Sequence, residues 1–235
     1  VTGPVRPDAE DRWAAPAAAR PVRGRVWLPA EVSPDFPAAL AAAFFAAAAV
    51  VTGGTVLIRS RPAVDDPLAA AARTVFDRAG GYVVRSADGL TVTTRSTSGE
   101  LTPFEADLSA APLLVPLAAV VTAVAGGRSV LRGVGGPRVA RTRDALRSVG
   151  ASCDLDGTDL TVRAEALRPG RWDGRGDPPT AAAGLVLALV VPGVEVAGVR
   201  ELGEVLPGVE QEWLRLLSSE EYLIPGSARL PHDYL

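Results

Sequence analysis

The chain has 235 residues, 48% of them hydrophobic but only 5% aromatic, and a formal net charge of −3. That length holds one large domain or two small ones around a core filled by Ala, Val and Leu, and the acidic balance argues against a general nucleic-acid binder. One cysteine, Cys153, and one histidine, His232, leave no internal disulfide, no cysteine-built metal site and little of the usual His-based acid/base or zinc repertoire.

Residues 1–20 are rich in Pro, Ala and charge and read as a flexible N-terminal arm. They carry no apolar signal core behind a basic start, so the expected location is cytoplasmic. A first residue of Val and the absence of methionine point to a GTG start written as valine, or to a fragment. Arg23–Leu28 alternates as a strand, and Pro34–Thr52 reads as the first helix. Its apolar run is about 15 residues, short of the roughly 20 a membrane span needs, so a buried core helix is expected and no membrane partner. Thr55–Ser60 is a strand. Asp66–Ala79 is an amphipathic helix capped by Asp65 or Asp66. Tyr82–Arg85 and Leu90–Arg95 flank Asp88-Gly89, a strong hairpin signal.

The pattern then restarts. Phe104–Leu108 is a strand, Pro112–Ala125 an apolar helix, Ser129–Gly133 a strand and Arg138–Val149 a helix. A second hairpin, Ser152–Leu155 with Leu160–Arg163, closes around Asp156-Gly157. A third, shorter pass follows. Trp172 lies in a strand, Asp177 caps the helix Thr180–Val191, Val194–Val196 is a strand, and Leu206–Leu217 is the last helix. The residues 218–235 form a polar, Pro-containing tail. The pairs Gly53-Gly54, Gly126-Gly127 and Pro192-Gly193 recur at intervals of about 70 residues, the mark of an internal repeat. They follow helices, so they read as C-caps rather than phosphate loops, which precede helices. The fold expected is α/β (α+β): one domain over 21–217 with βαβαββ repeats at about 23–97, 99–165 and 167–217. No single repeat can bury its apolar helix, so the three helices pack inside and the sheets lie outside.

Few residues suggest chemistry. Arg138, Arg141, Arg143 and Arg147 form a basic helix start, which reads first as a solvated face partly neutralised by Asp144. The sharper alternative is a site for a small anionic ligand, built from Arg138, Arg141 and Arg143. Asp65-Asp66 and Glu100, Glu105 and Asp107 read as caps and strand-surface charges rather than metal ligands. Ser33, Ser109 and Ser129 have no histidine partner in the body of the chain. Trp27, Trp172 and Trp213 are expected to cover core edges.

Four stretches, in this order, resemble the enolpyruvyl transferases, and most closely EPSP synthase (3-phosphoshikimate 1-carboxyvinyltransferase) of actinobacterial type. They are WAAPAAARPVRGRVWL at 13–28, VSPDFPAALAAAFFAAAAVVTGGTVLI at 32–58, FEADL at 104–108, and 167–217 from LRPGRWDGRGDPP to LPGVEQEWLRLL. The resemblance implies the family activity, transfer of an enolpyruvyl group from phosphoenolpyruvate to shikimate 3-phosphate in aromatic amino acid biosynthesis, with no cofactor. Such enzymes have two domains, one inserted after the first strand of the other. This chain resembles the terminal domain alone, with the inserted domain deleted. The resemblance also exposes departures. The family's Gly-Ser-Lys-Ser becomes Ala30, Glu31, Val32 and Ser33 after Leu28-Pro29. Its catalytic carboxylate falls at Leu113. Its Lys-Glu-Thr-Asp-Arg run matches Ala140 through Asp144, with Asp144 in place of the phosphoenolpyruvate-binding Arg. Its Asp-His-Arg reads Asp177-Pro178-Pro179, and its late Lys is Glu204 or a neighbour. The expectation is a pseudoenzyme with a binding or regulatory role. The alternative is one half of a split transferase, completed by a partner chain that supplies the missing domain. A homodimer is a further possibility for the partner.

Overall fold

The computed structural model describes residues 20–29, 33–59, 65–95, 100–163 and 166–218. The N-terminal arm up to residue 19, the replaced lysine motif at Ala30–Val32 and the tail beyond Ser218, with His232, lie outside the described residues.

The first unit runs β1 (Arg23–Trp27), α1 (Ala38–Thr52), β2 (Thr55–Arg59), α2 (Pro67–Ala79), β3 (Gly81–Ser86) and β4 (Gly89–Thr94). The second repeats it as β5 (Glu105–Asp107), α3 (Val115–Val124), β6 (Arg128–Arg132), α4 (Pro137–Ser148), β7 (Ser152–Asp156) and β8 (Asp159–Arg163). Their sheets have the same order, β1-β2-β4-β3 and β5-β6-β8-β7. In each, the first two strands pair in parallel and the hairpin adds antiparallel strands. The third unit is the short one. It has β9 (Arg171–Asp173), α5 (Pro178–Ala188) and β10 (Glu195–Ala197), then α6 (Val199–Val205) and α7 (Val209–Ser218). Its sheet is two parallel strands.

The helices α1, α3 and α5 pack on one another at the centre. That position explains their composition. Thirteen of the fifteen residues of α1 are buried, so there is no polar face to conserve water contact. Alanine on most of them lets neighbouring backbones approach closely. The outer helices α2 and α7 are amphipathic instead, burying Leu68, Val75 and Phe76, and Val209, Trp213 and Leu216. Trp213 stacks on Phe44 of α1 at 4.8 Å between ring centroids, pinning α7 to the core. Among the described residues, no helix is long and apolar enough to cross a membrane.

Boundaries differ from the sequence reading where proline and glycine decide. Helix α1 begins at Ala38 rather than Pro34. Pro37 holds an extended conformation as its N-cap and Pro34–Phe36 form a turn closed by the Phe36 N–H on the Ser33 carbonyl at 3.0 Å. The second apolar helix opens with a 3-10 turn over Pro112–Leu114. The expected last helix, Leu206–Leu217, starts only at Val209, after Pro207-Gly208, and an unanticipated helix, Val199–Val205, precedes it. Of the two candidate caps of α2, Asp66 takes the role, accepting from Leu68 and Ala69 N–H at 2.8 and 3.2 Å. Gly53 caps α1 in the left-handed conformation, but Gly54 serves another purpose. A Cβ there would stand 2.0 Å from the Val22 carbonyl oxygen, which accepts the Thr55 N–H at 2.8 Å. Only glycine lets the chain enter β2 directly against the start of β1.

Candidate functional site

The segment between β9 and α5, residues 174–177, meets the first turns of α4. Asp177 is the N-cap of α5, where an acceptor satisfies N–H groups left open by the helix. Its Oδ2 accepts from the Thr180 N–H at 3.2 Å and the Thr180 hydroxyl at 2.5 Å. The same carboxylate, 9% exposed, receives Arg138 from α4: Nε lies 2.9 and 3.1 Å from the two oxygens and Nη2 2.8 Å from Oδ1. A forked guanidinium on a nearly buried carboxylate is the strong form of ion pair. It fastens α4 of the second unit to α5 of the third.

Support comes from below. Trp172, fully buried on β9, donates its indole Nε1 to the Thr180 carbonyl at 2.7 Å. Its ring lies over Gly184, where a Cβ would be 2.4 Å from the indole. Glycine in this helix is therefore a socket for the tryptophan.

The other candidates separate. Arg141, one turn beyond Arg138, donates to the Arg175 carbonyl at 3.0 Å, so both reach the same loop. Arg143 points elsewhere and pairs with its neighbour Asp144 at 3.0 Å. Arg147 reaches the Cys153 carbonyl at 2.6 Å. Arg141, Asp144, Ser148, Arg171, Asp173 and Arg175 line an open groove between α4 and β9. Within it Arg175 forks onto Asp173, at 2.9 and 2.5 Å, and that hydrogen bonding holds the Asp173 carboxyl at about 2. The one cysteine is an ordinary core thiol, pushed up to about 11 by burial.

The positions where the resemblance implied lost chemistry are also fixed. Leu113 is half-buried in the 3-10 turn before α3, packed against the core. Pro179 is buried in the first turn of α5. Glu204 is exposed on α6, 3.8 Å from Arg200. Trp172 and Trp213 are fully buried, whereas Trp27 is 47% exposed and covers no core edge. Its backbone N–H donates to Glu212 of α7 at 3.1 Å and Arg215 lies over its ring.

Two repeated α/β units and a shortened third, with their helices gathered inside, define the enolpyruvyl-transferase class of fold. Two solved structures share it. The enolpyruvyl transferase NikO from Streptomyces tendae matches with a TM-score of 0.61 at 22% identity, over 77% of this chain and 43% of its own. EPSP synthase from Acinetobacter baumannii matches with 0.62 at 18%, over 74% and 44%. The family model for EPSP synthase (3-phosphoshikimate 1-carboxyvinyltransferase) matches residues 22–213, and the chain belongs to that family. The 3-phosphoshikimate 1-carboxyvinyltransferase of Kocuria rhizophila, an actinobacterium, is 34% identical over 177 residues, 72% of this chain but 39% of the relative. The chain thus spans less than half the length of the relatives it matches.

Proposed function

We propose that this EPSP synthase-family domain does not by itself transfer an enolpyruvyl group, and that it acts in the cytoplasm as a binding or regulatory domain. Enolpyruvyl transfer to shikimate 3-phosphate must hold two phosphates and a carboxylate, and cationic clamps supply that field. The observation that carries the reading is the Arg138–Asp177 pair. The guanidinium nearest the N-terminus of α5 is closed on a carboxylate of the same chain rather than open to an anion. At two other positions where the resemblance implies family chemistry, Leu113 offers no proton and Glu204 would repel phosphate. Removing one oriented donor costs on the order of 100- to 1,000-fold in rate, and several positions are affected here. The test is calorimetry and a phosphate-release assay on the full chain with shikimate 3-phosphate and phosphoenolpyruvate. No heat and no turnover are expected; micromolar binding of either ligand, or turnover, overturns the reading.

The span of 39–44% of the relatives supports a second reading, in which another polypeptide or a second copy completes the cleft. Affinity capture followed by assay distinguishes them. Activity that appears only on mixing with a chain carrying the rest of the family's length supports the second reading and removes the first. Of the candidate anion contacts, Arg138 is taken by Asp177 and Arg143 by Asp144, which leaves Arg141, on the lining of the open groove, as the one for a ligand to meet.

A further inference from the structure

The two four-stranded sheets share topology and register but not exteriors. On the first, alternation from the buried Val26, Val56, Ile58 and Val92 fixes which side chains face outward. Register then sets them in rows: Arg23, Thr55, Thr93 and Tyr82; Arg25, Leu57, Thr91 and Val84; Trp27 and Arg59. None of these strand residues is a carboxylate. Arg23 and Arg25 make no ion pair with any described residue, and Arg59 has only Asp88 of the hairpin turn, at 4.0 Å. Three of the large hydrophobics most exposed among the described residues, Trp27, Tyr82 and Val84, stand on this face, and Leu214 lies on α7, which packs beside β1.

The second sheet is the internal control. There Arg132 bridges Glu105 and Asp159 at 2.8 and 2.9 Å, and Arg163 holds Asp154 at 2.6 Å. Its arginines are met by carboxylates of the same sheet, which outnumber them.

We propose that the outer face of the first sheet is a docking surface for an acidic polypeptide segment with apolar side chains between its carboxylates. Trp, Tyr and Arg are the residue types that concentrate binding energy at protein interfaces, and unpaired guanidiniums select an anionic partner by charge complementarity. Leu57, 8% exposed beneath its neighbours, and the hydroxyl pair Thr55–Thr93, 2.9 Å apart, provide an uncharged floor between the arginines of β1 and the edge carrying Tyr82 and Val84. A nucleic acid would meet the same arginines, but the apolar half of the face, with Tyr82 and Val84, would go unused. This face shares no residue with the Arg138–Asp177 pair or the groove beside it, and the outcome does not depend on whether the chain transfers enolpyruvyl groups.

The test uses the full chain and a short synthetic peptide of Glu-Glu-Leu repeats, read by tryptophan fluorescence and by amide chemical shifts. The peptide is expected to bind, more weakly as salt rises, with shifts concentrated on residues 23–27 and 55–59. The double change Arg23→Glu with Arg25→Glu should weaken binding about tenfold or more, as should Trp27→Ala. Arg128→Glu on the second sheet should leave it unchanged. No binding, shifts centred elsewhere, equal loss from Arg128→Glu, or tighter binding of a single-stranded oligonucleotide than of the peptide would each overturn it. The shift map on the unaltered chain decides the location even if a variant fails to fold.

Discussion

The first and second sheets are the same structural device built twice, and they differ only in what they show to solvent. Inside, both are mainly aliphatic: Val56, Ile58 and Val92 face α1 as Leu131, Leu160 and Val162 face α3, with the buried Ser129 standing where the first sheet has Val56. Outside, one carries arginine, threonine and exposed aromatics, while the other carries a lattice of cross-strand ion pairs. Topology is therefore enforced by the buried alternate positions, and the exterior is free to diverge. Exposed cross-strand pairs add little to stability, so nothing in folding obliges the first sheet to acquire the carboxylates of the second.

The largest effects should come from the shared interior. Ile58→Ala and Leu131→Ala each remove a fully buried side chain and should cost about 2–5 kcal/mol in denaturant unfolding. Similar losses at both sites confirm equivalent interiors; a loss confined to one sheet breaks the equivalence. Next is the ion pair that lies inside rather than outside. Arg138→Ala leaves the Asp177 carboxylate buried without its partner and should cost about 2–4 kcal/mol, less than for a wholly buried pair because Arg138 is 29% exposed. An unchanged unfolding midpoint would show that Thr180 alone satisfies Asp177.

A smaller change tests the exterior. Thr55→Glu places a carboxylate opposite Arg23 and gives the first sheet a pair of the second sheet's kind. Stability should move by about 1 kcal/mol or less, while binding of the acidic peptide should be lost. Retained binding with unchanged affinity would separate the docking surface from the arginines. The smallest effects are titrations. On the second sheet, Arg132 hydrogen-bonds Glu105 and holds its carboxyl below the usual value, so Arg132→Gln should raise the Glu105 midpoint in an NMR titration. In the third unit Asp173, held at about 2 by Arg175, should return toward about 3.9 in Arg175→Ala. Because its folded value is depressed, the stability it contributes is present above about pH 4 and is lost as pH falls toward 2. Half-exposure keeps that contribution small, so the midpoint rather than the melting temperature is the readout.

The sequence by itself determined the repeat, the family and the interior. Apolar helices without a polar face, glycine after each, and Asp-Gly between alternating runs are local signals, and local chemistry placed the elements at 66–79 and 152–163, while it began α1 four residues early at Pro34 and carried α5 past Ala188 to Val191. Asp177 was legible as a cap for the same reason. Its partner was not. Arg138 is 39 residues away, and only the packing of α4 on the β9–α5 segment turns an apparent anion-binding cation into half of an internal ion pair. Gly184 gave no signal either, since a glycine in an apolar helix becomes a socket only once Trp172 is laid over it. The exterior contrast between the sheets was likewise invisible. The charges of each strand are plain in the chain, but whether an arginine stands opposite a carboxylate is set by register between strands far apart in sequence, and register is a property of the folded molecule alone.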